Sequence, residues 1–112
     1  MFSEDFDREA GLACVDGDEA LYESVLAVFY QQLTDDFASL PDSLRGPPDE
    51  AVARQVHSLK GSAGSVGAKR LEASAAAVDR RLKSGDGELD EALIGELAAA
   101  LQSAINSLES SR

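Results

Sequence analysis

Val52-Ala53-Arg54-Gln55-Val56-His57-Ser58-Leu59-Lys60-Gly61-Ser62-Ala63-Gly64-Ser65-Val66-Gly67 carries the only histidine of this chain and three of its nine glycines. At roughly 100° per residue, Val52, Val56, Leu59, Ala63 and Val66 fall within about 40° of one direction, the apolar stripe of a helix lying on a core. Measured from that stripe, His57 lies at about 140°, Gly61 at about 180°, Gly64 at about 120° and Lys60 at about 80°. The spacing therefore predicts a helix with one buried edge, and it turns the histidine to solvent.

Outward from this stretch the same periodicity recurs. Gly46-Pro47-Pro48 punctuates the chain, and Pro48 suits the first position of the helix, with Asp49 and Glu50 in the first turn, so the helix is expected over about 48–65. Val66-Gly67 then turns the chain into a helix over about 68–84, marked by Leu71, Ala75, Val78 and Leu82 and stopped at Lys83-Ser84-Gly85-Asp86-Gly87. A last helix over about 88–109 carries Ile94, Leu97, Leu101, Ile105 and Leu108. Before the histidine helix, Asp18 can cap a helix over about 18–44, with Leu21, Val25, Val28, Phe29, Leu33, Phe37 and Leu40 as its stripe. Pro41 is expected to kink it or to begin a short continuation through Leu44 before Gly46. Ser3 can cap a short first helix over about 4–13, with Glu4 and Asp5 in its first turn, from which Phe2, Phe6 and Leu12 close one end. Alternating strand patterns are missing. Short connections between long amphipathic helices imply antiparallel neighbours, so the expected fold is all-α: an antiparallel up-down four-helix bundle with a short extra N-terminal helix.

Composition narrows the function classes. At 112 residues the chain fits one domain, 1–112, able to bury roughly two thirds of its unfolded surface and too short for a separate catalytic domain. Lys plus Arg number 10 against 21 Asp plus Glu, a formal net charge of −11, which argues against nucleic acid as a partner because clustered positive charge supplies that affinity. The acidity itself reads as a solubility device. One cysteine, Cys14, excludes an internal disulfide, and one Cys with one His falls short of a zinc set, so no metal site is expected. The acidic first ten residues do not resemble a signal peptide, and no apolar run approaches membrane-spanning length. The expectation is a soluble, cytoplasmic protein with no membrane partner.

The glycines of the histidine helix call for an explanation. Each glycine inside a helix costs about 0.8–1 kcal/mol relative to alanine, yet Gly61 and Gly64 flank His57 on the solvent side. Removing the side chain one turn beyond His57 leaves space over the imidazole for something bulky, such as a phosphoryl group and a docking surface. The alternative is that the two glycines admit a neighbouring helix or fray the helix end; Gly67 serves the turn. A surface histidine is often only a solvated polar residue, but a neutral imidazole has a ring nitrogen free to attack phosphorus. Lys60, one turn along, offers three donors to phosphoryl oxygens.

At these residues the chain resembles histidine-containing phosphotransfer (HPt) domains, whose signature His-x-x-Lys-Gly-Ser/Ala followed by a turn glycine is matched by His57, Lys60, Gly61, Ser62 and Gly67. The bundle, its length and the acidic Gly17-Asp18 lead into the second helix also fit, so the resemblance covers nearly the whole chain, in a stand-alone single-domain form. It implies that His57 accepts a phosphoryl group from an aspartyl phosphate on a receiver domain and passes it to another receiver aspartate, in a bacterial-type two-component phosphorelay. It further implies that Lys60 contacts the phosphoryl group and Gly61 keeps the approach clear. The expected partners are response-regulator receiver domains and the receiver domain of a hybrid histidine kinase. Ala53, Arg54, Gly64 and apolar residues of the second helix would complete the docking surface. No bound cofactor is expected, because the receiver brings the divalent metal, and no ATP-dependent kinase activity, because no glycine-rich nucleotide box is present. The alternatives are a helical adaptor in which His57 is incidental and a kinase-associated phosphoacceptor domain. The helix pair of a histidine kinase fits less well, since Ser58 and Ser62 stand where it has an acidic residue and a proline.

Overall fold

A computed structural model describes residues 6–46, 49–84 and 89–110. Those residues form six helices and no strand: α1 (Arg8–Ala13), α2 (Glu19–Asp35), α3 (Leu40–Leu44), α4 (Glu50–Ser65), α5 (Lys69–Ser84) and α6 (Glu91–Ser110). The expected all-α class is what the chain adopts. Helix α4 packs along α5, α5 along α6 and α2 against α6; α3 bridges α4 and α6, and α1 touches α2 and α4. The core is drawn from all the long helices, with Tyr22, Phe29 and Leu33 of α2, Val56 and Leu59 of α4, Leu71 and Val78 of α5, and Leu97 of α6 buried together. Each such side chain contributes about 1.5–3 kcal/mol by leaving water, which is what holds these marginal single helices in place.

Several boundaries differ from the periodicity, each for a local reason. The first helix begins at Arg8 rather than at residue 4, because Asp7 is its cap: its carboxylate accepts from the Ala10 N–H at 3.1 Å. Phe6 precedes the helix and packs edge-on against Phe29, with ring centroids 6.4 Å apart. The expected Ser3 cap, Phe2 and the Glu4-Asp5 first turn lie outside the described residues. The expected helix over 18–44 is two helices, α2 and α3, and the break comes before Pro41. Asp35 and Asp36 put two carboxylates at the negative end of the α2 dipole, where they favour termination, and the Phe37 N–H turns back to the Gln32 carbonyl at 3.0 Å. That turn folds Phe37 into the core. Pro41 then sits in the first turn of α3, where no N–H partner is lost.

Helix α4 starts at Glu50, and Asp49 is its cap rather than part of its first turn, accepting from the Ala51 N–H at 2.8 Å. Pro47 and Pro48 lie outside the described residues, as do Gly85, Asp86 and Gly87 of the expected stop after α5. Helix α6 begins three residues later than expected, at Glu91, whose carboxylate meets Arg45 at 2.7 Å and ties the end of α3 to the start of α6. Asp18 does cap α2, accepting from the Leu21 N–H at 3.0 Å. Leu21 and Val28, assigned by spacing to the core stripe of that helix, are exposed instead.

The turn between α4 and α5 is held from both sides. Gly67 has φ +76°, a conformation side chains resist, and its carbonyl accepts from the Asp7 N–H at 2.6 Å. A Cβ on Gly67 would collide with the Asp7 carbonyl oxygen. The buried Tyr22 hydroxyl donates to the neighbouring Val66 carbonyl at 2.8 Å. Gly67→Ala is therefore expected to destabilise the fold by at least about 2 kcal/mol. Urea unfolding checks this, and an unchanged midpoint would contradict it.

Candidate functional site

Val56, Leu59 and Ala63 are fully buried and hold α4 by its inner edge, so the next residue after Val56 is turned outward. The His57 side chain is 59% exposed, and its Nδ1 faces α5. There it meets Asp79, whose side chain is only 7% exposed, with Nδ1 3.5 Å from Oδ2. The same Oδ2 receives Lys60 of α4 at 3.3 Å and Lys83 of α5 at 3.1 Å. Lys83 Nζ also comes within 3.5 Å of His57 Nδ1. Nε2 makes no hydrogen bond or ion pair to the protein among the described residues, which leaves it on the open edge of the ring.

One carboxylate thus gathers three charged or titratable groups. Burial alone would raise the Asp79 pKa, but hydrogen bonds from Lys83, Lys60 and His57 outweigh it and hold the carboxyl below its ordinary value of 3.8. Two ammonium groups against one carboxylate leave a surplus of one positive charge beside His57, in a chain whose net charge is −11. An anion that approaches this face meets a local cation in a field that otherwise repels it. Because the folded-state pKa of Asp79 is depressed, its contribution to stability is fully present above the unfolded carboxyl range and is lost as pH falls through the folded value. Asp79→Asn is expected to flatten the acid limb of the stability curve below about pH 4, as read by urea midpoints across pH. Parallel curves for the two proteins would contradict this.

The residues singled out by the sequence do not all meet at one place. His57 and Lys60 are brought to the same carboxylate. Gly61 is open: a Cβ placed there meets nothing within 4 Å, so packing does not require glycine. Gly64 differs, because a Cβ there would stand 2.7 Å from the Glu72 carboxylate of α5, the movable end of a side chain that lies over it. Ala53 is half-buried and Arg54 is exposed, on the turn of α4 that precedes His57.

Two members of the cluster were not read from the sequence. In the sequence Lys83 opens the stretch that stops α5, and Asp79 stands unmarked between Val78 and Arg80. The available signal is an acid followed four residues later by a lysine, with the acid beside the buried face of Leu71, Ala75 and Val78. The structure also picks out the apolar residues of α2 that spacing could not: Leu21 is 48% and Val28 is 56% exposed, with half-buried Val25 between them, one stripe at i, i+4 and i+7. Among the described residues no cluster of His, Cys, Asp or Glu is placed to hold a metal ion, and no helix is long and apolar enough to cross a membrane.

Residues 24–109 match the Hpt domain family, a span that contains His57, Lys60, Asp79 and Lys83. No curated protein and no solved structure matches the chain. Since the matched span takes in every helix except α1 and the start of α2, the chain belongs to the Hpt domain family, whose members carry out phosphotransfer in two-component signalling with receiver domains.

Proposed function

We propose that this protein is a phosphoryl carrier in a bacterial-type phosphorelay, with His57 Nε2 as the atom that takes a phosphoryl group from one receiver aspartate and gives it to another. The observation that carries the reading is the open Nε2 edge of a ring whose other nitrogen faces a buried carboxylate flanked by two ammonium groups. Phosphoryl transfer depends mainly on positioning and on charge stabilisation. Lys60, with a flexible half-exposed chain, supplies charge to the phosphoryl oxygens, and open Gly61 lets the receiver approach. The receiver brings its aspartate and divalent metal.

Docking extends from the outer face of α4, with Ala53, Arg54, Ser58 and Gly61, to the exposed apolar stripe Leu21, Val25 and Val28 of α2. Leu21 and Val28 are about half exposed, which forgoes about 1 kcal/mol each, and a partner surface recovers it. Gly64 contributes little beside the Glu72 side chain that covers it. The four long helices α2, α4, α5 and α6 are arranged as an up-down antiparallel bundle in this reading, supported by the three-residue link between α4 and α5 and by the packing of α5 and α2 on α6. The working location is the cytoplasm, where receivers and kinases exchange phosphoryl groups.

The test is to mix the chain with a phosphorylated receiver and follow label that is acid-labile and base-stable, then to add a second, unphosphorylated receiver. Label is expected to appear on the chain and to leave it for the second receiver. A chain that never takes label is an adaptor, and the proposal fails.

A further inference from the structure

Charge is divided unevenly along this chain. Residues 50–84, which make α4, α5 and the turn between them, hold seven of the ten basic residues and three of the 21 acidic ones, a formal +4. With −11 on the whole chain, −15 is left for everything else. Lys60 and Lys83 share Asp79, and Arg70 meets Glu96 of α6. Arg54, Lys69, Arg80 and Arg81 are exposed and make no ion pair among the described residues. At 100° per residue, Lys69, Arg80 and Lys83 fall within about 60° of one another on α5, a band about 20 Å long. Lys83 reaches His57 from this band, so the cations continue the His57 face across α5. Glu72, which lies over Gly64, is the acid beside them.

We infer that this cationic face is an electrostatic guide for a receiver whose aspartate lies in an acidic surface, and that the acidic remainder turns the same receiver away from every other side. The inference rests on the reading of this face as the receiver dock. A receiver that holds a divalent metal beside its aspartate needs further oxygen ligands, carboxylates among them, so its working face is rich in acids. A long polyanion fits less well, because it runs past a band of about 20 Å and meets the acidic remainder. Ionic strength decides which charge the receiver senses. The molecule measures 42 × 23 × 22 Å. At about 0.01 M salt the screening length is about 30 Å, longer than the molecule is thick, and an acidic receiver is repelled by the whole −11. At about 0.1 M it is about 10 Å, and the receiver senses only the face it approaches. At about 1 M it is about 3 Å, and neither charge reaches out. Attraction is therefore confined to an intermediate window of salt.

The test is stopped-flow association of the chain with dye-labelled receivers of the same genome, sorted by the charge of the face that carries the aspartate. With acidic-faced receivers, the wild-type rate constant is expected to rise roughly tenfold from about 0.01 M to about 0.1 M salt and to fall roughly tenfold by about 1 M. Lys69→Gln with Arg80→Gln is expected to lower the rate at about 0.1 M by roughly fivefold and to flatten the fall. Ala99→Glu with Asn106→Asp shifts the net charge by the same amount on the exposed side of α6, and it should keep the peak. A wild-type rate that only rises with salt overturns the inference, as does a preference for basic-faced receivers or no association with any acidic-faced one. It also fails if the Lys69 and Arg80 variant keeps the full peak, or if the α6 variant loses as much. Binding of the wild type to duplex DNA or phosphatidylserine vesicles at about 0.1 M salt would assign the face to a polyanion instead. Failure of the phosphoacceptor reading is separate and shows as a chain that associates in this way yet takes no label.

Discussion

Replacing His57 by Gln is expected to abolish phosphoryl uptake while leaving the fold in place. Glutamine is polar and of similar reach, so its amide N–H can still face Asp79, and the site it enters is 59% exposed. Exposed substitutions of this kind shift stability by about 0.5 kcal/mol or less. Chemistry has no such tolerance, because an amide nitrogen has its lone pair delocalised into the carbonyl and does not attack phosphorus. His57 is the only histidine in the chain, so no neighbour can take its place. Label from a phosphorylated receiver should fall to that of a blank, with circular dichroism and the urea midpoint unchanged. Undiminished label on His57→Gln would mean that the acceptor lies elsewhere.

A second large effect is expected one turn away. Gly61→Glu fills a space that the fold leaves empty, since no atom lies within 4 Å of a Cβ at that position. Exchanging a mid-helix glycine for a good helix former stabilises by up to about 1 kcal/mol, so the variant should unfold at slightly higher urea. The new carboxylate would project beside the imidazole, block the receiver and repel the phosphoryl group. A misplacement of about 1 Å between reacting groups can cost about 100-fold in rate, and transfer is expected to fall by that order. A steady rate together with lower stability would make Gly61 a structural residue. Gly64 is the control: Gly64→Ala must displace the mobile end of Glu72, with a modest change in either property.

The contrast between these two glycines marks where the sequence stops being informative. Both stand on the outer side of the α4 helical wheel, and although only Gly61 belongs to the His-x-x-Lys-Gly pattern, the spacing does not say what covers either. The distinction comes from α5, which brings Glu72 over Gly64 and brings only open space to Gly61. The division of α4 into a core edge of Val56, Leu59 and Ala63 and an outer face bearing His57 and Gly61 was legible because a single periodicity sets it. Asp79 was not legible for the reason that Gly64 was not: its role depends on the register between α4 and α5, which tertiary packing sets. The division of α2 from α3 was hidden by Phe37 and Leu40, which continue the apolar spacing across a turn that buries them from a new direction. Leu21 and Val28 were misassigned by the same rule, since spacing identifies an apolar face and leaves open what covers it.

The central claim is that phosphorus becomes bonded to Nε2 of His57. Phosphorus-31 NMR of the nitrogen-15-labelled chain after brief exposure to a phosphorylated receiver tests it most directly. The account predicts one phosphoramidate resonance, coupled to His57 Nε2 and absent from His57→Gln. A spectrum with no phosphoramidate, or with one coupled to Nδ1 or persisting in His57→Gln, would contradict it.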